Sequence, residues 1–115
     1  MPSDCIFCNI ADQKIPVELL YNGELLVAFR DINPVAPVHI LIVPKKHIPS
    51  LLHLTDVDAD MMGKITEVAV MLAEQEGIAD SGFRLLVNTG AEAGQSVPHV
   101  HFHLLGGRTL GWPPG

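Results

Sequence analysis

The chain has 115 residues, 48% of them hydrophobic, enough for one compact domain with its own core and too few for two. Seven basic against thirteen acidic residues give a formal charge of -6, which excludes a broad basic surface for nucleic acid and favours a small ligand met by local groups in a pocket. No apolar run nears the roughly 20 residues of a membrane helix, Met1-Pro2-Ser3-Asp4 lacks a basic region followed by an apolar stretch, and two cysteines are too few for a disulfide scaffold. A soluble, cytoplasmic protein with no membrane or nucleic-acid partner is expected.

Asp4 can cap a short helix through Gln13, with Ile6, Phe7 and Ile10 at helical spacing and Pro16 as the stop. Strand-like runs from Val17 to Tyr21 and from Leu25 to Arg30 flank Asn22-Gly23, the dipeptide of a two-residue hairpin turn with positive φ angles. Asn33-Pro34-Val35-Ala36-Pro37 breaks the ladder, and His39 to Val43 reads as a buried third strand closed by Pro44-Lys45-Lys46-His47. Thr55-Asp56-Val57-Asp58 starts one long helix in which Met61, Ile65, Val68 and Leu72 recur at helical spacing, and Gly77 ends it. Phe83 to Asn88 gives a fourth strand, Thr89 to Val97 a loop, and His99 to Leu105 a fifth strand, followed by an irregular tail over 106–115. The sum is an α+β fold: an antiparallel five-stranded meander with one long and one short helix against it.

In His99-Val100-His101-Phe102-His103-Leu104-Leu105 the two-residue period of a strand puts three imidazoles on one face and Val100, Phe102 and Leu104 on the other. Three imidazoles make poor packing, because each carries two polar nitrogens that need partners when buried. A His-x-His pair on a strand could hold a catalytic metal with a third ligand from elsewhere. The preceding loop, Gly90-Ala91-Glu92-Ala93-Gly94-Gln95-Ser96, has instead the small residues whose N–H groups can approach an oxyanion. Donors that hold phosphate oxygens while a neutral imidazole attacks phosphorus fit this order of residues better. Cys5 and Cys8 form a C-x-x-C pair that needs two further ligands for a closed metal site, and the alternative is a pair of reduced thiols against the core.

The run His99 to Leu105 resembles the His-φ-His-φ-His-φ-φ motif of the histidine triad family, where φ is hydrophobic. The likeness extends through Phe29-Arg30-Asp31-Ile32-Asn33-Pro34, Pro44-Lys45-Lys46-His47-Ile48, Gly94-Gln95-Ser96-Val97 and Leu105-Gly106-Gly107-Arg108, and is similar to the family's nucleotide-binding, Hint-like branch. Pro98 departs from that branch, which usually places an aromatic residue there.

The resemblance implies a single domain over 1–115 that cleaves purine nucleoside 5′-phosphoramidates or aminoacyl-adenylates to AMP or GMP. His101 would attack the α-phosphorus to give a nucleotidyl-histidine; His103 would attend the phosphate, His39 would support the triad, and Ser96 would contact phosphate and leaving group. Nucleotide contacts would come from Asp31 on the ribose hydroxyls, Phe29 and Ile32 with Ile6, Phe7, Ile10 and Ile15 on the base, and Asn88, Gly94 and Gln95 on the phosphate. A structural zinc would be bound by Cys5, Cys8, His47 and His99, and two chains would join their sheets as a homodimer, with the tail across the partner's site. A non-catalytic purine-nucleotide-binding module and a metallohydrolase are the competing expectations.

Overall fold

The computed structural model describes residues 4–115. Helix α1 spans Ile6–Ala11, and its cap is Cys5, whose Sγ accepts the Cys8 N–H at 3.4 Å, one residue later than the expected Asp4. It stops short of Gln13 because that residue turns to a positive φ of 60° and the Lys14 N–H closes back on the Asn9 carbonyl at 2.8 Å.

Strand β1 is only Tyr21–Asn22; β2 is Leu26–Arg30, β3 Val38–Pro44, β4 Phe83–Val87 and β5 Phe102–Gly106. The β1–β2 hairpin exists, but Asn22 pairs with Val27 and the Gly23 N–H bonds the Leu26 carbonyl at 2.9 Å, so the tip is Glu24-Leu25. Gly23 serves another purpose than the expected positive φ: the Tyr21 ring folds over it where any Cβ would clash.

Helix α2, Ala59–Gln75, follows a single 3-10 turn at Asp56–Asp58, where the Asp58 carboxylate accepts the Thr55 N–H at 3.0 Å and the Lys46 Nζ at 2.9 Å. Gly77, at φ 74°, ends it as the sequence predicts.

All neighbouring strands are antiparallel, in the order β1-β2-β3-β5-β4. The expected five-stranded α+β sheet is present, and it departs from a strict meander where β5 inserts between β3 and β4. The sheet is buried on both faces. Leu26, Ala28, Ile40, Ile42, Val100, Phe102 and Leu104 pack with Ile65, Val68 and Leu72 of α2. On the opposite face, Val27, Phe29, Leu41 and Val43 meet Phe7, Ile10 and Ala11 of α1. That second face carries the histidines.

Gly106 belongs to β5, so the irregular tail begins at Gly107; Arg108 and Arg84 anchor its start by donating to the carbonyls of Val35 (3.1 Å) and Gly111 (2.9 Å). Among the described residues no helix is long and apolar enough to cross a membrane.

Candidate active site

The fifth strand starts three residues later than the motif suggests, because β3 ends on Pro44, which has no N–H to extend the ladder past the Ile42–Phe102 pair. His99 and His101 lie on a lead-in that bends at 97–99, where the His99 N–H bonds the Val97 carbonyl at 2.8 Å, and that is held by the Val100 N–H on the Ile48 carbonyl at 2.6 Å. The alternation survives: Val100, Phe102 and Leu104 face α2, and Phe7 of α1 touches the rings of both His99 and His101 edge-on.

A cleft of about 230 Å³ opens beside them, lined by the apolar side chains of Ile6, Phe7, Ile10, Phe29, Ile32 and Leu41 and by Asp31, Ser96, His101 and His103. An apolar slot with a few converging polar groups is the usual form of a small-ligand site. Leu41 could have been found from the sequence, since it lies two residues from His39 on a strand and so shares its face.

Fixed backbone partners determine which nitrogen of each ring carries the proton. His101 Nδ1 lies 2.8 Å from the His99 carbonyl, which can only accept, so Nδ1 donates and Nε2 is left with a lone pair. His39 Nδ1 accepts the Val35 N–H at 3.1 Å, so in the neutral ring the proton sits on Nε2. That Nε2–H lies 2.9 Å from His103 Nδ1 and 3.4 Å from the Asp31 carboxylate. His103 Nδ1 therefore accepts, and its proton is on Nε2, a buried N–H with no partner in the protein. Burial pushes His103 down to about pKa 4, the neighbouring His101 and His39 push the same way, and Asp31 opposes them; His39 is lowered too, by burial against the pull of Asp31. His39 and His103 are therefore neutral near pH 7, and the neutral form of His101, with its Nδ1–H committed, carries its lone pair on Nε2; the His101 and His103 ring centroids are 5.1 Å apart.

On the far side of Phe7 the pattern reverses. His99 Nε2 lies 2.8 Å from the Pro44 carbonyl and must donate, which leaves its Nδ1 lone pair pointing at Cys5 Sγ (3.2 Å), Cys8 Sγ (3.5 Å) and His47 Nδ1 (3.2 Å). Cys8 Sγ is also 3.2 Å from His47 Nδ1. Tetrahedral bonds of about 2.0 Å to nitrogen and 2.3 Å to sulfur give ligand–ligand edges of roughly 3.3–3.8 Å. The donor set and its spacing fit, and the cluster could hold a metal ion, with the two cysteines as thiolates.

Asp31, His39 and His103 also converge within 4.8 Å, but His39 cannot ligate through Nε2 as a neutral ring while the Val35 N–H occupies its Nδ1. This second group is wired for protons.

Of the sequence-predicted residues, the cleft gathers Ile6, Phe7 and Ile10 as well as Phe29, Asp31, Ile32, Ser96, His101 and His103, while Ile15 and His39 are not in its lining. Asn88, Gly94 and Gln95 are not among its lining residues. The Gly94 and Gln95 N–H groups bond the carbonyls of Ala91 (3.0 Å) and Gly90 (3.1 Å). The Gln95 side chain staples the loop, donating to Pro49 and Val97 and accepting from Gly90. The backbone groups of Val35, Pro44 and His99 that fix the tautomers carry no signal in residue type.

Comparison with known proteins agrees with this arrangement. The HIT domain family matches residues 12–110. An uncharacterised HIT-like protein of Synechocystis is 46% identical over the full length of both chains. The purine nucleoside phosphoramidase of Escherichia coli is 46% identical over 96% of this chain and 93% of its own. Among solved structures, a HIT family hydrolase from Legionella pneumophila superposes with a TM-score of 0.95 at 45% identity, over 97% of this chain and all of the other. A histidine triad protein from Clostridium difficile gives 0.91 at 43% identity, over 96% of each.

Proposed function

The chain belongs to the HIT domain family, and from that premise we propose that it is a hydrolase of purine nucleoside 5′-phosphoramidates or aminoacyl-adenylates, with His101 as its nucleophile. The observation that carries the reading is the His101 ring itself: its Nδ1–H is committed to a carbonyl and its Nε2 lone pair belongs to a cleft with an apolar slot for a base.

In the first step Nε2 forms a bond to the α-phosphorus as the bond to the leaving amine or acid breaks. The departing group keeps that electron pair, and an amine also takes up a proton from the Ser96 hydroxyl or water. In the second step water attacks phosphorus and gives one proton back to the Ser96 oxygen or to solvent, whichever supplied it in the first step; the P–N bond to His101 breaks with its electron pair returning to Nε2, and the nucleoside monophosphate leaves. The unpartnered Nε2–H of His103 donates to a phosphate oxygen throughout, and a buried N–H at that place stabilises the charge that builds on the oxygens. Asp31 accepts from the ribose hydroxyls, and Phe29, Ile32, Phe7 and Ile10 enclose the purine. Asn88 and the backbone at Gly94 and Gln95 are proposed as phosphate-side contacts, although none of the three lines the cleft.

Cys5, Cys8, His47 and His99 are proposed to hold a structural zinc, which would tie α1 to the histidine run. A homodimer is proposed in which the sheets pair through β4, which lies at the sheet's edge with five residues and an exposed Phe83 to offer. The proposed setting is the cytoplasm, the domain spans 1–115, and nucleic acid and membrane are not partners.

The test is steady-state hydrolysis of adenosine 5′-phosphoramidate, with acid-quenched enzyme digested and mapped by mass spectrometry. An adenylyl adduct on His101 is expected. Tight AMP binding without turnover would replace the hydrolase by a binding module.

A further inference from the structure

We infer that the cluster of Cys5, Cys8, His47 and His99, when it holds its metal, sets the position and tautomer of His101, so that the metal site aligns the nucleophile as well as stapling the fold. The inference rests on reading His101 as the nucleophile and the cluster as a metal site.

Two routes connect the sites. The first is His99, a fully buried residue that belongs to both. Its ring is pinned at one nitrogen by the cluster and at the other by the Pro44 carbonyl, and its own main-chain carbonyl receives the His101 Nδ1–H at 2.8 Å. With the ring held at both ends, the backbone two residues before the nucleophile has little freedom. With the metal gone, the Nδ1 atoms of His47 and His99, 3.2 Å apart, are left to the weak S–H donors of Cys5 and Cys8, and the constraint on the carbonyl loosens.

The second route is α1. Six residues are too few for a helix to persist alone, and this one has neither an acidic first turn nor a basic last turn. Its cap is a proposed ligand, Cys5, and the other cysteine lies one turn on. Phe7, between them, sets its ring edge-on against His101 with centroids 4.9 Å apart, and reaches Phe29 at 5.8 Å. A metal that fixes Cys5 and Cys8 thereby fixes the ring that limits how His101 can turn. If both restraints weaken, His101 can move its proton to Nε2, and the lone pair that attacks phosphorus is lost.

The experiment compares zinc-loaded protein with protein stripped by a chelator and checked for retained sheet and helix by circular dichroism. With 15N-labelled histidine, two-bond 15N–1H correlations report the tautomer of His101. Zinc-loaded protein is expected to hold one metal per chain and one tautomer, Nδ1–H. Stripped protein is expected to give a mixture and a kcat about 10- to 100-fold lower, the range that outer-shell support is usually worth. Phe7→Leu, which keeps all four ligands, serves if stripping unfolds the chain: it should retain the metal, yet mix the tautomers and lower kcat.

A pure Nδ1–H form with full kcat, in folded stripped protein or in metal-loaded Phe7→Leu, overturns the inference and leaves the metal site standing. Failure to take up zinc overturns both. A tautomer shift without any turnover in the loaded protein upholds the positioning and removes the hydrolase reading instead.

Discussion

Two histidine clusters share one face of the sheet on either side of Phe7, and backbone groups wire them in opposite senses. At His99 a carbonyl takes the Nε2–H, so a lone pair points at two thiols and a third nitrogen. At His39 a main-chain N–H takes the Nδ1 lone pair, so an N–H points at His103 and is passed on to the cleft. The same side chain is thus placed to ligate a metal in one place and to donate a proton in the other. His101 shares the carbonyl trick of His99, but its lone pair belongs to a cleft with room for a nucleotide instead of to a set of ligands. What separates the proposed ligand from the proposed nucleophile is what the free nitrogen faces.

The largest effect is expected from removing the proposed nucleophile. His101→Ala should lower kcat for an adenosine phosphoramidate by at least about a thousandfold. AMP affinity, measured by calorimetry, should change only a few-fold, because the walls and Asp31 remain. Residual turnover near the wild-type level would mean that some other group attacks. A metallohydrolase would lose turnover completely on chelation while its His101 tautomer stayed fixed, which the stripped protein described above distinguishes.

Next in size is the proton chain. His39→Ala leaves His103 Nδ1 without its donor, so the proton on His103 can move to Nδ1 and the N–H that meets phosphate is lost. A fall in kcat of about 10- to 100-fold is expected, with less change in KM. His39→Gln, which can offer an N–H from nearly the same place, should recover part of it. Equal losses in the two variants would show that His39 only fills space.

Much of this architecture was legible because it rests on periodicity. The spacing of Met61, Ile65, Val68 and Leu72 placed α2, and the alternation through 99–105 put three imidazoles opposite Val100, Phe102 and Leu104. The hairpin tip and the start of β5 depart from what the residues suggest for local reasons: the Gly23 N–H bonds the Leu26 carbonyl and moves the tip to Glu24-Leu25, and Pro44 cuts the ladder before His101. The cleft residues Asp31, Phe29 and Ser96 followed from family resemblance and lie together. The wiring was invisible, because the groups that choose each tautomer are the N–H of Val35 and the carbonyls of Pro44 and His99, which any residue type could have supplied in the right geometry. The loop before the histidines suggested N–H donors for an oxyanion, but the Gly94 and Gln95 N–H groups bond the carbonyls of Ala91 and Gly90, and the Gln95 side-chain amide ties the loop to Pro49 and Val97.

A gentler perturbation acts at the rim of the proton cluster. Asp31 already accepts the Asn33 N–H at 2.8 Å through Oδ1 and faces His39 with Oδ2, so its capacity for ribose hydroxyls is shared. Asp31→Asn should reduce the preference for ribo- over 2′-deoxyribonucleotide substrates by about tenfold in kcat/KM. An unchanged preference would show that the carboxylate serves His39 alone.

The smallest effect expected is also the one that separates the clusters most cleanly, since it asks only what each does with an added proton. Burial lowers His103 to about pKa 4, against about 6.5 for an exposed ring. Between these values the unfolded chain binds a proton that the folded chain refuses, so stability should be flat above pH 6.5 and should fall as the pH drops from 6.5 towards 4. The contribution is on the order of 1–3 kcal/mol, read from urea midpoints at closely spaced pH values. Acid also competes for the thiolates and imidazoles of the metal cluster, and that destabilises in the same direction. The useful quantity is therefore the difference between wild type and His103→Gln, in which the cluster's contribution cancels. Gln can still accept the His39 Nε2–H but has nothing to titrate, so its slope between pH 6.5 and 4 should be shallower than that of the wild type. Parallel slopes would move the acid sensitivity from the proton chain to the metal ligands.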